Sequence, residues 1–139
     1  MTKTRVRFGE TDAAGIVFYP TFFAWFDLGT TGLIRAAARG DLCNPDGSPR
    51  HAVPIVESGA TFLSPLRFDD EIEIRSTVTA VGTTSLRVEH VVTCGVVECA
   101  RGFEVRVYIE RRGATITGVP IPQELRASLT EGASSEEVA

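Results

Sequence analysis

Cysteine is scarce: Cys43, Cys94 and Cys99 are the three in 139 residues, with no CxxC spacing among them. An odd, scattered set excludes a disulfide framework and a zinc ribbon. Cys94 and Cys99 stand in strand-like sequence and are expected to be buried or partly buried thiols. Long apolar runs are missing too. No stretch approaches the roughly 20 residues of a membrane span, and "MTKTRVRFGETD" lacks the apolar core of a signal peptide. A cytoplasmic protein without a membrane partner is expected. Positive charge is outweighed, 14 Lys and Arg against 18 Asp and Glu, a net charge of −4. No basic face for nucleic acid is evident.

The motif inventory is equally thin. There is no GxGxxG, no GxxxxGK[ST] and no GxSxG, which argues against nucleotide folds and a serine-hydrolase elbow. No metal-ligand cluster has useful spacing, so neither cofactor nor metal is expected. His51 and His90 are the two histidines, and neither has a serine or cysteine nucleophile beside it in sequence. His90 shares a strand face with Leu86, Val88 and Val92 and reads as a satisfied core histidine. His51, in a polar loop, reads as solvated. No histidine precedes Arg50, which removes the His and acid pair of a dehydratase.

What is present is a clear order of elements. "TKTRVRF" alternates as a short strand. Pro20 suits the first turn of a helix, which is expected to run to Arg39 with Gly40 as its stop. Phe22, Phe23, Trp25, Phe26, Leu28, Leu33 and Ile34 cover most of its circumference, the mark of a buried helix. Asn44-Pro45-Asp46-Gly47 signals a turn. Strands follow over Ala52–Phe62, Asp70–Val81, Ser85–Cys94, Val97–Glu110 and Ala114–Thr117. Within them Ile72, Ile74, Ser76, Val78 and Ala80 share a face, as do Phe103, Val105, Val107 and Ile109. Residues 1–125 read as one α+β domain, a long buried helix wrapped by a curved antiparallel sheet of five or six strands. Residues 126–139 read as a disordered acidic tail. The last strands have no second helix to cover them, so their outer face and edge are expected to meet another subunit.

One stretch stands out chemically. Asp12, in "RFGETDAAGIVFYPTFFAWFD", precedes an apolar helix whose start is at or next to Tyr19. As a turn-former it would make an Asx-turn ahead of Ala13-Ala14-Gly15. As a functional group it would face free N–H donors at a helix tip. A carboxylate that attacks a carbonyl carbon, or aims water at it, beside donors for the oxyanion is the equipment of acyl transfer. Gly15 permits close backbone approach, and Glu10 is a lesser acid candidate. Asp27, about two turns into an apolar segment, must reach solvent, pair with arginine or touch a ligand. Phe18, Tyr19, Phe22, Phe23 and Trp25 would supply flat apolar walls or simply core, and core is the preferred reading of Trp25.

That stretch closely resembles the active-site signature of the 4-hydroxybenzoyl-CoA thioesterase group of hotdog-fold proteins. "LSPLRFDDEIEIRSTVTAVGTTSL" continues the resemblance, which covers Thr4 to about Pro122. The resemblance implies an acyl-CoA thioesterase, with an aromatic acyl group favoured by tyrosine at position 19. It implies catalytic roles for Asp12, as nucleophile or general base, and for Tyr19, through its backbone N–H. Gly15, Phe18, Thr21, Trp25 and Asp27 become substrate-binding candidates, Thr21 departing from the family's usual asparagine. Arg87, Arg101, Arg111 and Arg112 become candidates for the coenzyme A phosphates, and a homo-oligomer built from dimers, up to a tetramer, is implied. The alternatives are an aliphatic acyl-CoA or acyl-carrier-protein thioesterase and a module that binds acyl-CoA without cleaving it.

Overall fold

Residues 71 to 94 alternate apolar and polar side chains so regularly that an extended chain alone can segregate them. The computed structural model describes residues 1–38 and 50–138, and there these residues form two central antiparallel strands. In chain order the elements are β1 (Thr2–Arg5), α1 (Pro20–Ala38), β2 (Arg50–Ala52), β3 (Ile55–Phe62), β4 (Glu71–Val81), β5 (Ser85–Cys94), β6 (Val97–Val107), β7 (Ile109–Arg112), β8 (Thr115–Gly118) and α2 (Gln123–Val138). A five-stranded sheet runs β1-β4-β5-β6-β3, and a smaller sheet runs β2-β7-β8. The turn expected at Asn44-Pro45-Asp46-Gly47, the stop at Gly40 and Cys43 lie outside the described residues.

Helix α1 crosses the inner face of the large sheet. Its buried residues Phe22, Trp25, Phe26, Gly29, Thr30 and Ile34 recur every three or four positions, so the apolar stripe faces one way. Two glycines set how closely it docks. A Cβ on Gly102 would stand 2.2 Å from the Phe26 ring, and one on Gly29 would stand 2.1 Å from Ser76 Oγ. The helix is less enclosed than its composition suggests: Leu28 is half exposed on the outer side.

The core falls into two apolar clusters. Val6, Phe22, Trp25, Phe26, Leu66, Ile72, Ile74 and Val92 belong to one. Ile34, Val53, Val78, Leu86, Val88, Tyr108, Ile121, Leu125 and Leu129 make the other. Helix α2 supplies the last two. The disordered tail expected from residue 126 is therefore replaced, over its first turns, by a helix whose Leu125 and Leu129 are four apart and buried.

Strand β6 also departs from expectation. Cys99, Ala100, Glu104 and Arg106 are its buried side chains, while Phe103, Val105 and Val107, expected to face the core, are only half buried. Strands β5 and β6 are internal, so the edges of the large sheet belong to β1 and β3, and those of the small sheet to β2 and β8. Strand β3 carries exposed Ile55, Val56 and Phe62, with Leu63 just beyond it.

Candidate active site

The segment from Glu10 to Phe18 folds back on itself ahead of α1. Thr11 bridges Val17, Asp12 N–H donates to Ile16 O at 2.8 Å, and Phe18 N–H donates to Glu10 O at 2.9 Å. Gly15 closes the reversal at φ +81°, a left-handed conformation that glycine adopts without a Cβ penalty. Its role is thus a turn. The fold-back carries Asp12 at its tip and delivers Tyr19 to the start of α1.

Asp12 makes the Asx-turn that its position allows: Ala14 N–H donates to Oδ1 at 2.9 Å. That bond leaves Oδ2 free of hydrogen bonds within the described residues, and the side chain is exposed. The turn therefore fixes the carboxylate without consuming it.

The helix start is tighter than the general rule of open amides. Thr21 N–H donates to Phe18 O at 2.9 Å and Phe22 N–H to Tyr19 O at 3.1 Å. Proline at position 20 has no N–H. Tyr19 N–H is what remains, taken up by no hydrogen bond within the described residues. The dipole of a 19-residue helix adds partial positive charge at that end. Thr21 Oγ1 meanwhile reaches back to Glu10 O at 3.4 Å.

Glu10 is a structural group. Its Oε1 accepts Arg7 N–H at 2.7 Å and its Oε2 accepts Trp25 Nε1–H at 3.2 Å. Trp25 is 4% exposed, and the core reading of this residue is the one realised; it offers no open face to a substrate. The aromatic group divides accordingly. Phe22 packs on Trp25 and on Phe62, with centroids 5.2 and 5.0 Å apart. Phe18 and Tyr19, in mutual contact at 5.4 Å, are exposed at 49% and 60%.

Asp27 meets two of its three alternatives at once, an arginine partner and solvent. Arg106 Nη2 donates to Asp27 Oδ1 at 2.8 Å, with Arg106 buried and Asp27 largely open. The coenzyme A candidates are dispersed. Arg87 lies over the Phe103 ring at 4.2 Å, Arg101 is paired with Glu98, Arg112 with Glu110, and Arg111 Nε donates to Gly113 O. The structure does not gather them beside Asp12.

Between the two apolar clusters lies a buried polar layer that the sequence did not reveal. His90 Nδ1 is 2.7 Å from Ser76 Oγ, and His90 Nε2 is 3.1 Å from Glu104 Oε1 and 3.2 Å from Thr30 Oγ1. Thr30 also donates to Glu104. The His90 ring stacks on Phe26 at 4.8 Å. Arg106 Nη2 closes the series on Glu104 Oε2 at 2.9 Å. Burial alone would raise the Glu104 carboxyl. The bonds from His90, Thr30 and Arg106, with the Arg106 charge, outweigh that and hold it below the ordinary carboxylate value of 4.5.

So His90 has a serine beside it in space though none in sequence, and it is the satisfied core histidine expected. Ser76, His90 and Glu104 are not the triad of a hydrolase. All three are at most 4% exposed, and Ser76 faces the α1 backbone at Gly29, where helical amides are spent on i→i−4 bonds and none is left for an oxyanion. The missed signal was the hairpin register. A turn centred near Thr83 sets residue 76 opposite residue 90, as observed. His51 is likewise not simply solvated: its ring stacks on Tyr108 at 5.2 Å, and its Nε2 is 3.6 Å from Glu110.

Comparison with known proteins places these features. The 1,4-dihydroxy-2-naphthoyl-CoA hydrolase of Synechococcus sp. (strain WH7803) is 28% identical over 137 residues, 93% of this chain and 89% of the relative. The 4-hydroxybenzoyl-CoA thioesterase of Pseudomonas sp. (strain CBS-3) is 27% identical over 136 residues, 88% of this chain and 91% of the relative. Among solved structures, BH1999 gentisyl-coenzyme A thioesterase superposes with a TM-score of 0.76 at 31% identity, over 92% of this chain and 98% of that one. The family model of the Thioesterase superfamily matches residues 14–99. With the α+β hotdog fold described above and relatives that are CoA thioester hydrolases, the chain belongs to the Thioesterase superfamily.

Proposed function

We propose that this protein hydrolyses an aromatic acyl-CoA, a hydroxybenzoyl or related ester, with Asp12 and the Tyr19 backbone N–H as its catalytic groups. The observation that carries the reading is the pairing of two unspent groups. One oxygen of Asp12, at the tip of the fold-back, and the single open amide of α1, just past its base, belong to the same short segment.

The chemistry follows from those groups. Tyr19 N–H binds the thioester carbonyl oxygen and stabilises the negative charge it gains at the tetrahedral stage. Asp12 either attacks the carbonyl carbon, giving an anhydride that water opens, or takes the proton of an attacking water. On either route the C–S bond breaks, coenzyme A leaves as the thiol, and water supplies the oxygen of the acid released.

The acyl group is argued from α1. Tyr19, Phe23 and Asp27 are spaced four apart and share one side of the helix. From Tyr19 to Asp27 is about 12 Å along the axis, a span that one aromatic ring fills with a hydrogen bond at each end. Asp27 then receives a ring hydroxyl, the exposed rings of Phe18 and Tyr19 flank the ring, and Thr21 and Gly15 border it. All three relatives named above are described as acting on hydroxylated aromatic CoA esters, which supports the same choice. For the coenzyme A phosphates, Arg87 and Arg111 are less committed than Arg101 and Arg112, which already hold carboxylates.

A homo-oligomer completes this reading, with the dimer as its minimum and a tetramer as its fuller form. Asp12, Phe18 and Tyr19 are open in the single chain, and the β3 edge presents Ile55, Val56, Phe62 and Leu63 to solvent. An apolar edge strand of this kind needs a partner. Release of coenzyme A from 4-hydroxybenzoyl-CoA, followed with a thiol-reactive dye, tests the activity. Turnover that disappears in Asp12→Ala supports the proposal; binding without turnover by the wild-type protein defeats it.

A further inference from the structure

The buried polar layer reaches the surface through Arg106 and Asp27. The Arg106 side chain is 8% exposed and that of Asp27 56%. Arg106 Nη2 serves two carboxylates, Asp27 Oδ1 at 2.8 Å and Glu104 Oε2 at 2.9 Å, while Nη1 donates to Val53 O at 3.1 Å. The remaining nitrogen, Nε, is buried and has no partner.

This is a poor arrangement for stability alone. Buried ion pairs are often replaceable by apolar side chains without loss, and an unpartnered buried donor works against folding. Orientation is what the arrangement does deliver. A planar guanidinium held at three points cannot turn. It therefore holds Asp27 Oδ1 in place and leaves Oδ2, which takes no hydrogen bond within the described residues.

We infer that Arg106, braced by Glu104, is a positioning residue that holds Asp27 with one oxygen free as a fixed acceptor. Through Asp27 it selects acyl rings bearing a hydroxyl over unsubstituted rings. This rests on the aromatic acyl-CoA reading above. Lysine at 106 would keep the charge but lose the planar fork whose two nitrogens reach Val53 on one side and Asp27 with Glu104 on the other.

The test is kcat/KM for 4-hydroxybenzoyl-CoA and for benzoyl-CoA in the wild type, Arg106→Lys, Glu104→Gln, Asp27→Asn and the Asp27→Asn/Arg106→Lys pair. The wild type is expected to prefer the hydroxylated ester. That preference should fall about tenfold in Arg106→Lys, the worth of one well-placed hydrogen bond. In the Asp27→Asn background, Arg106→Lys should change the preference no further. Glu104→Gln gives the same readout should Arg106→Lys fail to fold. The inference is overturned if both esters slow by one factor, if the wild type shows no preference, or if the Arg106 effect persists without Asp27. A wild-type protein that hydrolyses neither ester defeats the aromatic acyl-CoA reading, and this inference with it. One that hydrolyses both with an unmoved preference defeats the inference alone.

Discussion

The fold-back around Asp12 and the layer around His90 each set a carboxylate beside hydrogen-bond donors, yet they leave those groups in opposite states. At Asp12 one bond from Ala14 fixes the side chain, and an oxygen remains for other work. At Glu104 both oxygens are engaged, by His90, Thr30 and Arg106. The first is exposed on a turn and the second lies at the centre of the sheet. The carboxylate proposed to react keeps unspent capacity. One that must survive burial has to spend all of it.

That contrast can be broken at either end. The largest effect belongs to Asp12→Ala, expected to lower kcat/KM by about 10²–10⁴-fold while the circular dichroism spectrum and melting stay native. More than a few per cent of wild-type turnover would remove Asp12 from its role. Glu104→Ala should do the reverse, costing about 3–5 kcal/mol in a urea titration, because it leaves the buried Arg106 with Asp27 as its one carboxylate and takes the shared acceptor from Thr30 and His90. A loss under 1 kcal/mol would show that water reaches this layer freely.

Gly102→Ala comes next. Its methyl would meet the Phe26 ring, which is itself buried, and about 1–3 kcal/mol of overpacking is expected by thermal denaturation. The smallest effect is in the acid limb of stability. The Glu104 carboxyl lies lower in the folded chain than its ordinary 4.5. Its contribution is therefore whole above that value and is lost as pH falls through the lower folded value. Urea midpoints from pH 6 downwards should fall more steeply in the wild type than in Glu104→Gln. Parallel slopes would contradict the assignment.

Legibility followed the periodicity of the chain. In β4 and β5 every second residue turns inward, and Ile72, Ile74, Val78, Leu86, Val88 and Val92 could be assigned to the core by counting. Pro20 marked the start of α1 to the residue. Strand β6 misled because apolar residues alternate on the face that is only half buried, while Glu104 and Arg106 point inward. Counting cannot anticipate this, since what admits those charges is a set of partners on α1 and β5. Tail composition concealed α2 in the same way, two leucines among polar residues sufficing once a cleft exists to receive them. At the candidate site the sequence located Asp12 and Tyr19. It could not show that Thr21 and Phe22 amides are already bonded, or that Trp25 is turned inward onto Glu10.

The sequence by itself determined where the chain is extended, where it is helical and which segment carries an acid ahead of a helix start. Those are local properties, decided by side-chain period and by proline and glycine backbone limits. Tertiary structure alone decided which polar groups are spent. Hydrogen bonds join residues as distant as Thr30 and Glu104 or Asp27 and Arg106, and such pairings exist once strand register and helix docking have brought them within reach.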